Sequence, residues 1–366
     1  MGCELSADGD PESHRLIRAM PMAGGDGHRR NSRMQTLGLL PGLALLATAA
    51  DSVSLPEPSH PIVIADYGAS SGGNSLIPMG TAIDSLRVRT NQPICVVHTD
   101  LPDNDFAALF NTVAEDPQSY SSRPDVFPMA IGSSFYRPIL PDDSVTLGWS
   151  SWALAWLSRT PAPVPDHVHA SYSTATAVRS AYARQAAEDW TDFLTARSRE
   201  MRAGGRLVLI VPAADADGTP GYRPMFDAAW DALTGFVGDG LLSADEALRM
   251  GMPHFGRTGT DLGTPFAEGG GSFAGLTIEH LESFDGTDPF WDDFQSTGDA
   301  KAFGDSWAGV FDAGASPSLA TGLDSGPDDA RTGDILARLR TELASRLAAA
   351  PQRMRIPVAA CVLAKQ

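Results

Sequence analysis

The sequence predicts an α/β fold: a doubly wound, nucleotide-binding sheet carrying a helical cap. Three observations support this. Pro61–Ala65 is a short apolar, β-branched run, and it opens into Asp66-Tyr67-Gly68-Ala69-Ser70-Ser71-Gly72-Gly73-Asn74. A buried strand running through an acidic, then glycine-rich loop into a helix is the first unit of such a sheet. Glycines there let the backbone approach a ligand closely, because no Cβ stands in the way. Further apolar runs follow at 93–99, 126–131, 145–150 and 206–211, separated by turns and helical stretches. Residues 214–345 then change character: they are helix-rich, with aromatics at helical spacing.

The bulk properties narrow the partners. A chain of 366 residues suits one large domain or a core with an elaborate second layer. A net charge of -18 argues against nucleic-acid phosphates and against a polybasic membrane contact. Cys3, Cys95 and Cys361 are widely spaced and odd in number, with no disulfide or zinc spacing, which fits a reducing cytoplasm. Lys301 and Lys365 are the only lysines. With abundant Ala, Gly, Asp and Pro, that usage suggests a GC-rich bacterial coding sequence.

In chain order, residues 1–21 are polar and patternless and read as a disordered extension. Met1-Gly2-Cys3-Glu4-Leu5-Ser6 fits the myristoylation pattern, which in a bacterial protein reads as a chance match. A glycine cluster, Gly24-Gly25-Asp26-Gly27, gives way to a helix near Asn31. On that helix Ser32 and Gln35 lie three apart and face the same way. They either point into a site or serve as an N-cap and a solvated glutamine. Leu37–Ala50 is apolar but too short to span a bilayer and is broken by Pro41, so it reads as a buried helix.

After strand 61–66 a helix is expected at 75–88, then strand 93–99. That second strand ends in Asp100-Leu101-Pro102-Asp103-Asn104-Asp105-Phe106, where a doubly wound fold meets an adenosine ribose. Asp100 lies 34 residues past Asp66, against about 20 in the dinucleotide fingerprint, and the glycines do not space as G-x-G-x-x-G. A nicotinamide enzyme is therefore disfavoured. Asp100 as a plain turn residue stays open.

Strand 126–131 carries Pro128, which argues against a central position. It leads to Gly132-Ser133-Ser134-Phe135-Tyr136, whose aromatics suit either an adenine face or the core. Strand 145–150 leads into Ser151–Ser158, read as a helix on which Trp152 and Trp156 share a face. That face is either an aromatic wall with an indole N–H donor or core packing. His167 and His169 lack a nearby third ligand, so a metal site there is weak. A long helix over 175–202 is expected to end at Gly204-Gly205.

In the second half, Tyr222–Val237 carries Met225, Phe226, Trp230, Leu233 and Phe236 at roughly helical spacing. Residues 272–284 read as a strand, 299–319 as an aromatic helix with Phe303, Trp307 and Phe311, and 335–349 as an amphipathic helix. A last strand closes the chain from Arg355. The expected division places 22–213, 272–284 and 352–366 in the sheet domain, and 214–271 and 285–351 in the cap.

In this order the motifs resemble the SABATH family of S-adenosylmethionine-dependent carboxyl methyltransferases, of the salicylic acid, benzoic acid and theobromine types. The segments that carry the resemblance are Gly24–Gly27 with Asn31–Gln35, Ile64–Asn74, Asp100–Phe106, Gly132–Tyr136, Ser150–Ser158 and Gly204–Leu209, within roughly 22–365. The resemblance implies a class I methyltransferase, Rossmann-like seven-stranded sheet with an α-helical cap, using S-adenosyl-L-methionine. It implies that Ser32, Asp66, Gly68, Asn74, Asp100, Leu101, Ser134 and Phe135 hold the cofactor, Asp100 at the ribose and Phe135 near the adenine. Gln35 and Trp156 would bond the substrate carboxylate. His28, Trp152, Met225, Phe226 and Trp307 would line the acceptor pocket. Homodimers are common in the family.

The chain departs from the plant pattern, which has tyrosine at the positions of His28 and Trp152 and tryptophan at that of Phe226. The acceptor pocket is therefore reshaped. Some plant members bind magnesium through an acidic residue and an asparagine, both missing from Leu248–Pro253, so no metal is expected. The expected reaction is conversion of a small apolar or aromatic carboxylic acid to its methyl ester. The alternatives are N-methylation of a xanthine-like ring and a catalytically silent small-molecule binder.

Overall fold

Five parallel strands meet two more in a seven-stranded sheet of order β3-β2-β1-β4-β5-β7-β6. The computed structural model describes residues 42–366. Within them helix α1 covers 42–52, followed by β1 (Ile62–Tyr67), a 3-10 turn (Gly73–Ser75), α2 (Leu76–Arg87), β2 (Ile94–Asp100), α3 (Phe106–Glu115), β3 (Val126–Gly132) and β4 (Val145–Ser151). Then come α4 (Thr176–Glu200), β5 (Met201–Pro212), α5 (Arg223–Gly238), α6 (Ala244–Arg249) and α7 (Gly259–Glu268). The chain ends with β6 (Leu276–Asp285), α8 (Pro289–Thr297), α9 (Ala300–Ala320), α10 (Ala330–Ala349) and β7 (Pro357–Lys365).

Strands β1 to β5 pair in parallel, and only β7 runs antiparallel to its two neighbours. Each of β1, β4 and β7 is buried almost throughout, as a sheet covered on both faces requires. β3 lies at the edge, which explains how it tolerates Pro128. Strand order reverses between β1 and β4, so the carboxyl ends of β1, β2 and β4 open onto one crevice, where such sheets bind ligands.

The apolar stretch before β1 packs as expected where it is described: Leu46, Ala49 and Ala50 of α1 are buried. Among the described residues no helix is long and apolar enough to cross a membrane. The helices after β5 form a layer in which α10 packs along α9 and α5. Phe303, Trp307 and Phe311 of α9 face inward there, with Leu339 and Leu343 of α10. Helix α7 instead packs on β6 and α4, and the Trp190 indole donates to the Leu262 carbonyl at 3.1 Å.

Gly204 and Gly205 do not cap α4. The helix ends at Glu200 and β5 begins at the next residue. The register against β4 slips between Met201 and Arg206, so the glycines sit in a bulge. Gly204 has φ +75°, and a Cβ there would strike the Ser54 side chain. A bulge and a helix stop draw on the same left-handed glycine, so the local sequence alone does not tell them apart.

Candidate active site

The site begins at the end of β1. Asp66 is buried, and two donors meet on its Oδ2: Ser75 Oγ at 2.5 Å and His98 Nδ1 at 2.8 Å. His98, fully buried in β2, lies within 2.6 Å of the Tyr120 hydroxyl through Nε2. Burial pushes the Tyr120 hydroxyl well above its ordinary range, so it keeps its proton and donates to Nε2. Nδ1–H then donates to Asp66. The carboxylate is thus held in one plane by a helix entry on one side and a Tyr–His pair on the other.

The two loops after β1 and β2 are sewn together. Gly68 N and Ala69 N both donate to Thr99 O, at 2.9 and 3.0 Å. Ser70 N donates to Asp100 Oδ2 and Leu101 N to Asp100 Oδ1, each at 2.7 Å. Asn104 Nδ2 donates to Ser70 O at 2.9 Å. The bond from Ser133 N to Asp100 O, 2.8 Å, brings the loop after β3 alongside. Asp100 therefore presents both carboxylate oxygens at a fixed angle, each with a lone pair left for a ligand. Gly68 has φ +90°, and a Cβ there would run into Ala153, so the loop after β4 closes directly over it.

That last loop overturns one expectation. Residues 152–158 are not a helix: Trp152 sits at φ +60° and a tight turn closes with Trp156 N donating to Ala153 O at 3.1 Å. This turn, not a shared helical face, sets where the two tryptophans lie. Trp149 is buried and packs on the apolar core, and it also borders the cavity described next. Tyr136 Oη donates to Trp156 O at 2.5 Å, tying the turn to the loop after β3.

These elements enclose a cavity of about 670 Å³. Nine residues expected at the site line it: Asp66, Gly68, Asn74, Asp100, Leu101, Ser134, Phe135, Trp152 and Trp156. Met225, Phe226 and Trp307 do not. They are buried in the aromatic core of the cap, where Phe226 packs on His169 and Phe311, and Trp307 on Tyr222 and Phe290. His28, Ser32 and Gln35 lie outside the described residues, as does the 1–21 extension.

The cavity has members that the sequence reading missed. Asp192, Thr195 and Arg199 of α4 line it, from a helix the sequence marks only by its length and its end. Ser70 and Ser75 line it too, from a loop whose glycines drew the attention. His98 carried the clearest overlooked signal, an imidazole inside an otherwise buried apolar strand, which needs a polar partner.

The chain also has recognisable relatives. A family model described as SAM dependent carboxyl methyltransferase matches residues 17–357. The chain belongs to this family. Its relatives include a Fusarium protein named Methyltransferase LUC1, 31% identical over 67% of this chain and 66% of its own length, just under two thirds. Another is the salicylate/benzoate carboxyl methyltransferase of Arabidopsis thaliana, 29% identical over 67% of this chain and 69% of that protein. The solved structure of loganic acid methyltransferase with SAH superposes at TM-score 0.75, with 21% identity, covering 94% of this chain and 99% of that one, and shows a shared fold.

The cofactor of this methyltransferase family is S-adenosyl-L-methionine, and the cavity fits it. Asp100 offers paired acceptors suited to vicinal ribose hydroxyls, and Asp66 offers an anion suited to an ammonium group. The Ser70 hydroxyl and the Trp152 indole N–H line the cavity and are buried with no partner among the described residues, so a polar ligand would satisfy them. Phe135 stands beside Tyr136 and Phe193 in a T-shaped aromatic set at the expected adenine end.

Removal of His98 provides a test of the Asp66 support. His98→Leu strips one donor from Asp66 and orphans the Tyr120 hydroxyl. Such a loss is expected to cost about 1–3 kcal/mol of stability. Binding of S-adenosylhomocysteine, measured by calorimetry, should weaken by roughly tenfold, the cost of a misplaced charge-assisted hydrogen bond. Tyr120→Phe should lower thermal stability while changing affinity less. Equal affinity in wild type and His98→Leu would show that Asp66 needs no such support.

Proposed function

We propose that this carboxyl methyltransferase converts a small apolar or aromatic carboxylic acid to its methyl ester. The observation that carries the reading is the place of Trp156. It lines the same cavity as Asp66 and Asp100, held there by the turn after β4 and by the Tyr136 hydroxyl. Relatives named for salicylate and benzoate, and for indole-3-acetate, point to the same class of acid.

When bound, S-adenosyl-L-methionine supplies an electrophilic methyl group. The work left to the protein is alignment. A carboxylic acid with a pKa near 4 is already ionised at neutral pH, so no general base is required. Trp156 Nε1–H and Gln35 orient the carboxylate, and Trp152 excludes water beside them. Orientation of this kind can account for about 7–11 kcal/mol of a barrier. The donors must not bind the anion too tightly, because its charge falls as the ester forms. Asp66, Gly68, Asn74, Asp100, Leu101, Ser134 and Phe135, with Ser32, hold the cofactor. Cys95 and Cys361 are free thiols, which fits a reducing, cytoplasmic setting.

Trp156→Phe tests the reading. It keeps an aromatic ring and removes the donor. Loss of a hydrogen bond to a charged group costs about 1.5–3 kcal/mol, so kcat/KM for a good acid should fall roughly 10- to 100-fold. Affinity for S-adenosylhomocysteine should not change. A radiolabelled methyl-transfer screen over carboxylic acids, with xanthines as controls, identifies the acceptor. Turnover confined to acceptors without a carboxylate would overturn the assignment.

A further inference from the structure

The turn that carries Trp156 is backed by a buried cation that the reaction above does not use. Arg257 lies just before α7 and is 1% exposed. One terminal nitrogen of its guanidinium donates to the Leu154 carbonyl. The other, with Nε, donates to the Ala186 carbonyl of α4, at 2.8 and 3.2 Å. Among the described residues no carboxylate lies within ion-pair distance of it. Arginine does not give up its proton in a protein, and a buried charge without an anion is costly. Carbonyl dipoles soften that cost but leave the net charge in place.

The turn is also held beyond Leu154. Asp189 of α4, likewise buried, accepts from Ser158 N at 2.8 Å, Ser158 Oγ at 2.6 Å and Gln185 Nε2 at 2.9 Å. Those three donors engage its charge locally. The charge of Arg257 is felt on both sides of Trp156. On one side is Tyr136, which lines the cavity and donates to Trp156 O. Burial pushes its hydroxyl far above the ordinary range, and Arg257 opposes that rise more strongly than Asp189 adds to it. On the other side is His254, whose ring stands 5.3 Å from the indole. Burial, then the Arg257 charge, hold its pKa at about 4, so it is neutral at physiological pH and adds no charge of its own. Trp156 therefore sits in a positive potential whose source is Arg257.

We infer that Arg257 selects an ionised acceptor: from behind the turn it fixes the place of Trp156 and adds a positive potential where the indole N–H meets the carboxylate. It is a positioning residue, because it acts through Leu154 and Tyr136 and by long-range attraction, not by contact with the acid. This rests on the carboxyl methyltransferase reading of the same site.

The test uses the full chain saturated with S-adenosylhomocysteine, which carries no sulfonium charge, and two probes of one shape: benzoate, an anion, and benzamide, which is neutral. Calorimetry at pH 7 gives the ratio of their dissociation constants. Reading the change in that ratio between variants cancels the different hydrogen bonds of acid and amide. A unit charge about 10 Å from an anion, at an effective dielectric constant of about 20, is worth roughly tenfold in binding. Arg257→Met should therefore cut the preference for benzoate roughly tenfold, with benzamide and S-adenosylhomocysteine binding near wild type. Arg257→Lys, which keeps the charge but not the planar fork, should retain most of the preference. In turnover of benzoate, the loss in Arg257→Met should fall on KM more than on kcat, because the anion's charge declines as the ester forms. If Arg257→Met fails to fold, Arg257→Gln, uncharged but still a donor to carbonyls, carries the same expectation. An unchanged ratio in the uncharged variant, an equal loss in Arg257→Lys, or a fall confined to kcat overturns the inference and leaves Arg257 as a brace for the turn. No preference for benzoate in wild type overturns the carboxyl reading itself, and this assignment with it.

Discussion

Asp100→Ala should weaken binding of S-adenosylhomocysteine by a factor on the order of 10²–10⁴, the largest single effect expected at the cofactor side. Two charge-assisted hydrogen bonds to ribose, at about 1.5–3 kcal/mol each, give that range. The substitution also orphans the Ser70 and Leu101 amides, which now donate to the two carboxylate oxygens. Both loops would relax, so part of the loss would be pre-organisation and not contact. Asp100→Asn separates the two contributions. It keeps the volume and one acceptor but turns an NH₂ toward a backbone N–H, and should fall between wild type and alanine. Burial pushes the Asp100 carboxyl above its ordinary value, against the pull of those two amides, and the nearby Asp66 charge adds to the rise. The protonated form loses an acceptor. Cofactor affinity should therefore decline on the acid side at a higher pH than an ordinary aspartate would set, and the alanine variant should not show that decline. Calorimetric titration across pH measures both effects. An unchanged dissociation constant in Asp100→Ala would remove Asp100 from the ribose site.

Much of this arrangement was legible because it is written locally. Asp66, Gly68, Asp100, Ser134 and Phe135 each lie where a buried apolar run gives way to turn formers, and a doubly wound sheet gathers such ends into one crevice. Pro128 marked an edge strand for a local reason as well, since it has no N–H to give. The errors share a different origin. Trp152 and Trp156 have helical spacing, but a tight turn with Trp152 at φ +60° puts both on one cavity without a helix. Met225, Phe226 and Trp307 lie on inward helix faces, and periodicity marks burial without telling a pocket wall from a packed core. His98 was missed because its partner is remote: Asp66 is 32 residues away in the chain. An isolated histidine shows its chemistry only when the fold supplies the second group.

Arg197→Met should destabilise the protein by about 3–5 kcal/mol, because it leaves a buried carboxylate uncompensated. Arg197 and Glu200 share the last turn of α4 and are both fully buried, 2.8 Å apart. The guanidinium lies over the Tyr67 ring, 4.2 Å from its centroid, and donates to Phe135 O at 2.9 Å and Arg137 O at 3.0 Å. Glu200 accepts from Ile139 N at 2.5 Å, Leu140 N at 3.2 Å and the Tyr67 hydroxyl at 3.0 Å. Burial drives that hydroxyl far above its ordinary range, so Tyr67 remains a donor at any working pH. The pair thus grips residues 135–140 from both sides, and that segment carries Phe135 into the cavity. In isolation the ion pair is weak evidence for stability, since desolvation offsets much of the attraction. Its value here is geometric: it fixes the backbone that faces the cavity. Two measurements separate these roles. A double variant, Arg197→Met with Glu200→Leu, should recover part of the melting temperature by removing the orphaned charge. It should still show a raised KM for S-adenosyl-L-methionine with the KM for the acid near wild type, because nothing then holds the Phe135 carbonyl. If the double variant restores both the melting temperature and the cofactor KM, Arg197 serves the core alone and the loop needs no clamp.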